Sequence, residues 1–369
     1  MKIKNYNYKI IGLMSGTSMD GINACIVNTN GRSLKRLNYR DIYDYSCETV
    51  RFLNKISDDI KVSSNIDSKR YIKINKLITF DHYKAVKKLT KNFKLKPDFI
   101  GFHGQTILHD PKNKSSIQLG IPKLLARLCK IPVISNFRDN DLINGGQGAP
   151  IAPIYHKYLI DSLKLEGPTC IINIGGISNI TYSFQQNLIG FDTGPGNVLM
   201  DNYMQTYKNL KFDKNGQFAS KGQVNKKFIN YFTMDDFFKY KYPKSLDKNY
   251  FADYLATAIR KIKNEHDLMS TLNMMTAKSI AISLDILPIY PKNIIITGGG
   301  SNNLFLLENL KRVVKAKVFT GNEVELPNDM IEAELIAYLS ARHLNGLCIT
   351  YPNTTGVIEP ISGGIINNI

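Results

Sequence analysis

The segment Ile10-Ile11-Gly12-Leu13-Met14-Ser15-Gly16-Thr17-Ser18-Met19-Asp20-Gly21-Ile22-Asn23 carries the residue types that anion chemistry needs. Glycines let the backbone reach left-handed conformations, so successive amide groups can turn toward one anion. Thr17 and Ser18 add hydroxyl donors, and Asp20 suits a metal-bound water or a phosphate-bound magnesium. The same composition also suits an ordinary glycine-rich hairpin. Three more glycine turns follow apolar runs. They are Gly175-Gly176 after Thr169–Ile174, Thr193-Gly194-Pro195-Gly196 after Leu188–Asp192, and Gly298-Gly299-Gly300 after Asn293–Thr297.

Two of the four turns lead from strand to strand, whereas a Rossmann dinucleotide site needs one glycine fingerprint opening a helix. No glycine-rich loop ends in Gly-Lys-Ser/Thr, so a P-loop is excluded. The turn Gly298-Gly299-Gly300-Ser301-Asn302-Asn303 admits two readings: an anion site at a helix start, or a helix cap by Ser301 or Asn302 behind a buried strand.

The elements that position these turns are predicted from apolar runs and their periods. Strands are expected at Lys9–Met14, Asn23–Asn28, Phe99–Phe102, Ile131–Ser135, Thr169–Ile174, Ser178–Ser183, Leu188–Asp192 and Asn293–Thr297. Ile78, Ala85, Leu89 and Phe93 share one face of a helix over 67–93, and Ala277, Ile280, Leu284 and Leu287 mark another core-facing helix. Helices are also expected at Ile154–Leu163, Asn303–Val314 and, as the last, Ile331–Leu344. Residues 32–66 read as polar and irregular, and 205–265 as a helical insertion rich in lysine and aromatics. Strand, glycine turn and strand occur near residue 10 and again after Gly167-Pro168, which predicts an internal duplication.

A chain of 369 residues exceeds one typical core, so two domains are expected, 1–166 and 167–369. Hydrophobic content of 43% against 21% charged residues describes a globular chain, and no run approaches the roughly 20 apolar residues that span a bilayer. After Lys2, Lys4 and Lys9 the run Ile10–Met14 is too short for a signal-peptide core, so the cytoplasm is expected. The five cysteines lie far apart, with Cys25 and Cys170 in strand-like runs, which excludes a disulfide framework and a zinc site. His103 and His109 lack the acidic or cysteine company of a metal site. The net charge of +17 comes from scattered lysines with no aromatic platform among them, so no nucleic-acid partner is expected, although an anionic substrate would be attracted.

The turns taken together resemble the duplicated α/β fold of hexokinase, actin and Hsp70, in which two actin-like (ribonuclease H-like) domains hold ATP in a cleft. Gly12-Leu13-Met14-Ser15-Gly16-Thr17-Ser18-Met19-Asp20-Gly21 closely resembles the first phosphate motif of the anhydro-N-acetylmuramic acid kinases. Gly104-Gln105-Thr106 with His109, Gly145–Pro150, Asn173–Asn179, Phe191–Asn197, Gly298–Asn303 and Glu332-Ala333 follow in that family's order.

The resemblance implies ATP-dependent phosphorylation of 1,6-anhydro-N-acetylmuramic acid with hydrolytic opening of its anhydro ring, in cell-wall recycling. Mg²⁺ would be held mainly by phosphates and waters rather than by a protein metal site. Gly16, Thr17, Ser18, Met19, Asp20, Gly21, Ile22, Asn23, Gly175, Gly176, Gly298, Gly299, Gly300 and Asn303 would hold the nucleotide. Asp192 would be the base that activates water, its other reading being a turn cap. Arg138 would bind the lactyl carboxylate by a two-pronged hydrogen bond, with His103 and Gln105 as cleft walls or, in the other reading, as hydrogen-bonding core residues. Glu332 would bind sugar hydroxyls or favour a helix N-terminus. Asn136 and Asn23 stand where the family usually has acids, so neither position can move a proton here. The chain would act on a small molecule, alone or as a homodimer. The competing readings are another sugar or carboxylate kinase of this fold, and an actin- or Hsp70-like ATP-driven switch.

Overall fold

The apolar runs flanking the first glycine turn form β1 (Tyr8–Ser15) and β2 (Ile22–Thr29), an antiparallel pair with Ile10 opposite Val27 and Leu13 opposite Ala24. Both strands are buried along their middles, so their apolar residues run on instead of alternating. β3 (Leu34–Tyr43) pairs with β2, and α1 (Cys47–Val62) and α2 (Ser68–Thr90) follow. Ile74, Ile78, Ala85 and Leu89 of α2 are buried, as one helical face should be. β4 (Phe99–Asp110) lies parallel to β1, with β5 (Ser115–Leu119) antiparallel on its far half. Beyond α3 (Pro122–Cys129), β6 (Val133–Ser135) is parallel to β4, and α4 (Asp139–Ile143) leads toward α5 (Pro153–Leu163).

The second sheet begins with the antiparallel meander β7 (Thr169–Ile174), β8 (Ile177–Phe184) and β9 (Asn187–Pro195). Between this meander and the parallel strand β10 (Asn293–Thr297) come α6 (Val198–Lys208), α7 (Lys226–Thr233), α8 (Ala252–Lys261) and α9 (Glu265–Asp285). Phe228, Phe232, Phe237, Phe238 and Phe251 give this insertion its own core. α10 (Leu304–Val313) then leads to β11 (Lys317–Thr320), parallel to β10. The strand orders are β3-β2-β1-β4-β6 and β9-β8-β7-β10-β11, with the same senses of pairing. The fold is α/β, and the expected duplication of an actin-like domain is present in its topology.

This computed structural model describes all residues except 1–4, 17–20, 63–67, 92, 95, 111, 112, 248 and 327. The chain divides into two compact units: Met1–Tyr155 with Asp329–Pro352 and Gly356–Ile369, and His156–Asn328 with Asn353–Thr355. The expected boundary at 166/167 is therefore replaced by one inside α5, and the C-terminal stretch belongs to the first unit. The cause is α11 (Ile331–Leu344), which lies against β1 and β4 where Gly12 and Gly101 face each other. A Cβ on Gly12 would stand 1.9 Å from the Ala333 carbonyl oxygen, and one on Gly101 2.4 Å from Ser340 Oγ. Buried Glu334 of α11 also accepts from Arg36 through both oxygens (2.7 and 3.0 Å) and from Tyr155 Oη (2.5 Å).

α11 is not the last element. α12 (Pro352–Thr355) follows it, and β12 (Ile365–Asn367) pairs antiparallel with β6. Residues 32–66 are also more regular than expected, since they hold β3 and α1. β3 is an outer strand with most positions exposed, so its sequence lacks the apolar run of a central strand. Among the described residues no helix is long and apolar enough to cross a membrane.

Candidate active site

In the second unit, backbone groups join the Gly175-Gly176 and Gly194–Gly196 turns, and the Gly298–Gly300 turn packs against the end of β7. Gly196 N donates to Gly176 O (2.9 Å), Asn197 N to Gly175 O (2.7 Å) and Val198 N to Gly176 O (3.2 Å). Asn197 Nδ2 donates to Ile174 O (3.2 Å), and Thr276 of α9 donates to Gly196 O (2.7 Å). Glycine is required at 196 because a Cβ would stand 2.2 Å from Gly175 O. Gly298 has φ +75°, with Asn173 Oδ1 2.2 Å from its missing Cβ, and Gly300 would strike Ile174 Cγ2 at 2.4 Å.

Gly175, Gly176 and Gly299 differ from these. A Cβ there would meet nothing nearer than 3.5, 3.9 and 3.7 Å, and none of the three is left-handed. Neither the protein's packing nor its backbone conformation demands glycine at these positions. Bare backbone of this kind is what close approach of an anion to successive amides requires. Asn303 has a structural task, since its Oδ1 caps α10 by accepting from Leu306 N (3.0 Å). The cap expected from Ser301 or Asn302 is thus supplied one residue later, and Ser301 Oγ donates to Gly298 O (2.7 Å).

Asp192 lies within β9 rather than at its end, because pairing with β8 continues to Pro195. Asn179 faces Asp192 and Ser178 faces Gly194, which leaves Thr193 as the extra residue of a bulge. Bulges re-aim side chains and are frequent beside active sites. Asp192 Oδ2 accepts from Leu246 N (2.8 Å), and Asp192 N donates to Lys244 O (2.9 Å). The Leu246 amide on this carboxylate comes from the insertion.

The first unit supplies a second group of the predicted residues. Thr17, Ser18, Met19 and Asp20 lie outside the described residues. Gly16 O accepts from Gln105 Nε2 (3.0 Å), so fully buried Gln105 has the hydrogen-bonding core role at the start of the turn. Tyr45 Oη donates to Ser15 Oγ (2.7 Å), with Gln105 Oε1 at 3.2 Å, and His82 Nε2 lies 3.0 Å from Ser15 Oγ. His82 Nδ1 faces Ile78 O at 2.8 Å, which fixes the proton there and leaves Nε2 to accept from Ser15. Burial pushes the His82 pKa down to about 4, consistent with that neutral form. Gly21 closes on the Tyr43 carbonyl oxygen, 2.7 Å from its missing Cβ; Ile22 is buried, and Asn23 Nδ2 donates to Asp329 O (2.6 Å).

His103 and Gln105 lie on β4, which continues through the His-Gly-Gln-Thr run beyond the expected end at Phe102. Gly104, at φ +76°, is the irregularity there, with a register shift against β1. Arg138 Nε donates to His103 Nε2 (3.1 Å) and Arg138 Nη1 to Gly148 O (2.8 Å). His103 Nδ1 lies 3.0 Å from Gly104 O, so its proton is on Nδ1. Burial, then the Arg138 charge, pushes the His103 pKa down to about 3. His103 therefore orients Arg138. Glu332 is half-buried in the first turn of α11. Asn136 has φ +60°, and its Nδ2 donates to Asp139 Oδ2 (2.5 Å).

Sequence reasoning missed Asp141, Lys244 and Glu334. Buried Asp141 accepts from Gly148 N (2.7 Å) and shapes the Gly145–Pro150 loop, leaving no room for a Cβ on Gly146, which would lie 2.2 Å from Asp141 Oδ2. Its signal was an acid between Arg138 and a glycine-rich loop. Among the described residues no group of three or more His, Cys, Asp or Glu is placed to hold a metal ion.

The model of the family described as anhydro-N-acetylmuramic acid kinase matches residues 8–368. A protein of that name from Rhodopseudomonas palustris (strain BisB18) is 38% identical over 363 residues, 96% of this chain and 98% of its own. The protein of the same name from Bradyrhizobium diazoefficiens is likewise 38% identical, with the same coverage. Among solved structures, component A of (R)-2-hydroxyglutaryl-CoA dehydratase from Acidaminococcus fermentans is similar with a TM-score of 0.47. It is 10% identical, over 90% of this chain and 99% of that one. The match by sequence runs through every turn described above, and the chain belongs to the anhydro-N-acetylmuramic acid kinase family.

Proposed function

We propose that the protein phosphorylates 1,6-anhydro-N-acetylmuramic acid with ATP while water opens the anhydro ring, giving N-acetylmuramic acid 6-phosphate and ADP. Its place is peptidoglycan recycling in the cytoplasm. The observation that carries the reading is the set of bare glycines, Gly175, Gly176 and Gly299, which nothing inside the protein requires. Bound ATP supplies the γ-phosphoryl group, with Mg²⁺ held by its phosphates and waters.

Asp192 is the base, its carboxylate fixed by the Leu246 amide. It takes a proton from a water whose oxygen bonds to the anomeric carbon. The bond from that carbon to the bridging 6-oxygen breaks, its electron pair stays on oxygen, and that oxygen accepts the phosphoryl group. Arg138, fixed through Nε and Nη1, holds the lactyl carboxylate. Glu332 contacts sugar hydroxyls.

ADP release should require the sugar. In heavy-oxygen water the label should enter the anomeric hydroxyl of early product and not its phosphate. An unlabelled anomeric oxygen in phosphorylated product would sink this mechanism. Asp192→Asn should keep the fold and ATP binding but lower turnover by at least about 10²-fold. Turnover within a few-fold of the parent would remove Asp192 from the base role.

A further inference from the structure

The segment 242–246, inside the insertion, fastens to the outer strand β9 at Phe191 and Asp192. The Tyr242 ring stacks on Phe191, with centroids 5.6 Å apart and an interplanar angle of 17°. Lys244 O accepts from Asp192 N (2.9 Å), and Leu246 N donates to Asp192 Oδ2 (2.8 Å), so backbone groups on both sides of one residue grip Asp192. The Lys244 side chain is 8% exposed. Its ammonium donates to Phe237 O (3.1 Å) and lies 4.3 Å from the Phe237 ring centroid and 5.6 Å from that of Phe191.

Enclosing an ammonium this way is costly, and an apolar side chain of equal length would pack there without that cost. Burial draws the Lys244 pKa down to about 8, and the Asp192 charge acts in the opposite direction. Other charges on the packed elements have their own partners or lie elsewhere on the helix. Asp236 pairs with Lys239 (2.6 Å), and Asp235 accepts from Tyr250 (3.1 Å) and Tyr254 (2.9 Å). β8 sets uncharged Asn179 opposite Asp192, while α9 brings Ser279 beside Gly194 and carries Lys278 and Asp285. A buried charge kept against its cost is characteristic of a functional position.

We propose that Lys244 is a positioning residue for Asp192, through which the 205–265 insertion sets the place and the charge of the base. The inference rests on the reading of Asp192 as base. Anchored at Phe237 O, the lysine fixes the backbone that grips Asp192, and its charge favours the ionised carboxylate.

Lys244→Met keeps the stem and removes the charge. Its kcat should fall at least about tenfold, with KM for ATP and sugar within about twofold, because misplacing a base acts on the transition state alone. The acid limb of kcat/KM should move up by about half a unit, since the carboxylate loses a stabilising cation. Its unfolding temperature should equal or exceed the parent's. Lys244→Arg, which keeps the charge, should restore the acid limb. A Lys244→Met enzyme with parent-like kcat and acid limb would overturn the proposal, and so would loss of stability in step with activity. Asp192→Asn, measured in parallel, separates the two ideas: near-parent turnover there defeats the base reading itself. Loss of turnover there beside an unaffected Lys244→Met defeats only the role of Lys244.

Discussion

In the first unit Ser15 and Gly16, where β1 gives way to its turn, are held by side chains. Gln105 supports Gly16, Tyr45 and His82 hold Ser15, and elsewhere in the unit Asp141 shapes the Gly145–Pro150 loop. In the second unit the Gly175-Gly176 and Gly194–Gly196 turns are joined mainly by backbone, with glycine carbonyls accepting directly from the next turn, and the side chains of Asn197 and Thr276 add one hydrogen bond each. The sheets behind them have one strand order, so the difference lies in the means of support and not in the topology. Side-chain support can be removed one hydrogen bond at a time. Backbone support depends on having no side chain at all, and it should fail abruptly.

The largest expected effect of that contrast lies in the second unit. Gly196→Ala puts a methyl group 2.2 Å from Gly175 O, and neither backbone can yield without parting the turns. Thermal or denaturant unfolding should show a loss of about 3 kcal/mol. Gly299→Ala, with its nearest neighbour 3.7 Å away, should change stability by less than about 0.5 kcal/mol yet weaken ATP binding in calorimetry. Equal stability losses in the two variants would break the distinction between glycines kept for packing and glycines kept for a ligand.

A smaller, graded effect is expected in the first unit. Gln105→Leu removes the donor to Gly16 O while filling the same space, and should cost about 1–2 kcal/mol with a partial loss of ATP affinity. Complete unfolding of this variant would mean that the first unit is no more tolerant than the second.

A further effect, spread over several buried histidines, concerns acid. Burial holds His82 near 4 in the first unit and His156 near 4 in the second; His103 in the first unit, with the Arg138 charge added, is held near 3. His343, also in the first unit, is lowered by burial too. Unfolded, these groups protonate near 6.5, so below that pH the unfolded chain binds more protons than the folded one. Stability should therefore fall as pH drops from about 6.5 toward 4. With three such histidines in the first unit against one in the second, hydrogen exchange at pH 5 should loosen the first unit sooner. Simultaneous loosening would remove the asymmetry.

The same contrast explains what was legible in the sequence. β7, β10 and α11 match their expected bounds because central strands and a core helix show unbroken apolar patterns. The four glycine turns were visible because glycine is rare enough to mark a place. β3 was not visible, since an exposed outer strand reads like a loop. The bulge at Asp192 depends on its pairing with β8, which residues 187–195 do not disclose alone. Lys244 and Glu334 were missed because a charged residue carries no local sign that it is buried, and for Asp141 the one sign was its place before a glycine-rich loop. Gln105 was recognised as important with two tasks left open, for a buried amide and a cleft amide look alike in a sequence.

Gly12 and Gly101 carry a consequence for the order of assembly. Their bare faces are covered by α11, whose residues 331–344 follow every residue of the second unit except the 353–355 strip. As a chain leaves the ribosome, β1 and β4 are made early yet must wait for a helix made late. The second unit has its whole sheet by Thr320, while the first still lacks its lining helix. The part of the molecule synthesised first is thus the part completed last, and its β1–β4 surface is what a nascent-chain chaperone would meet.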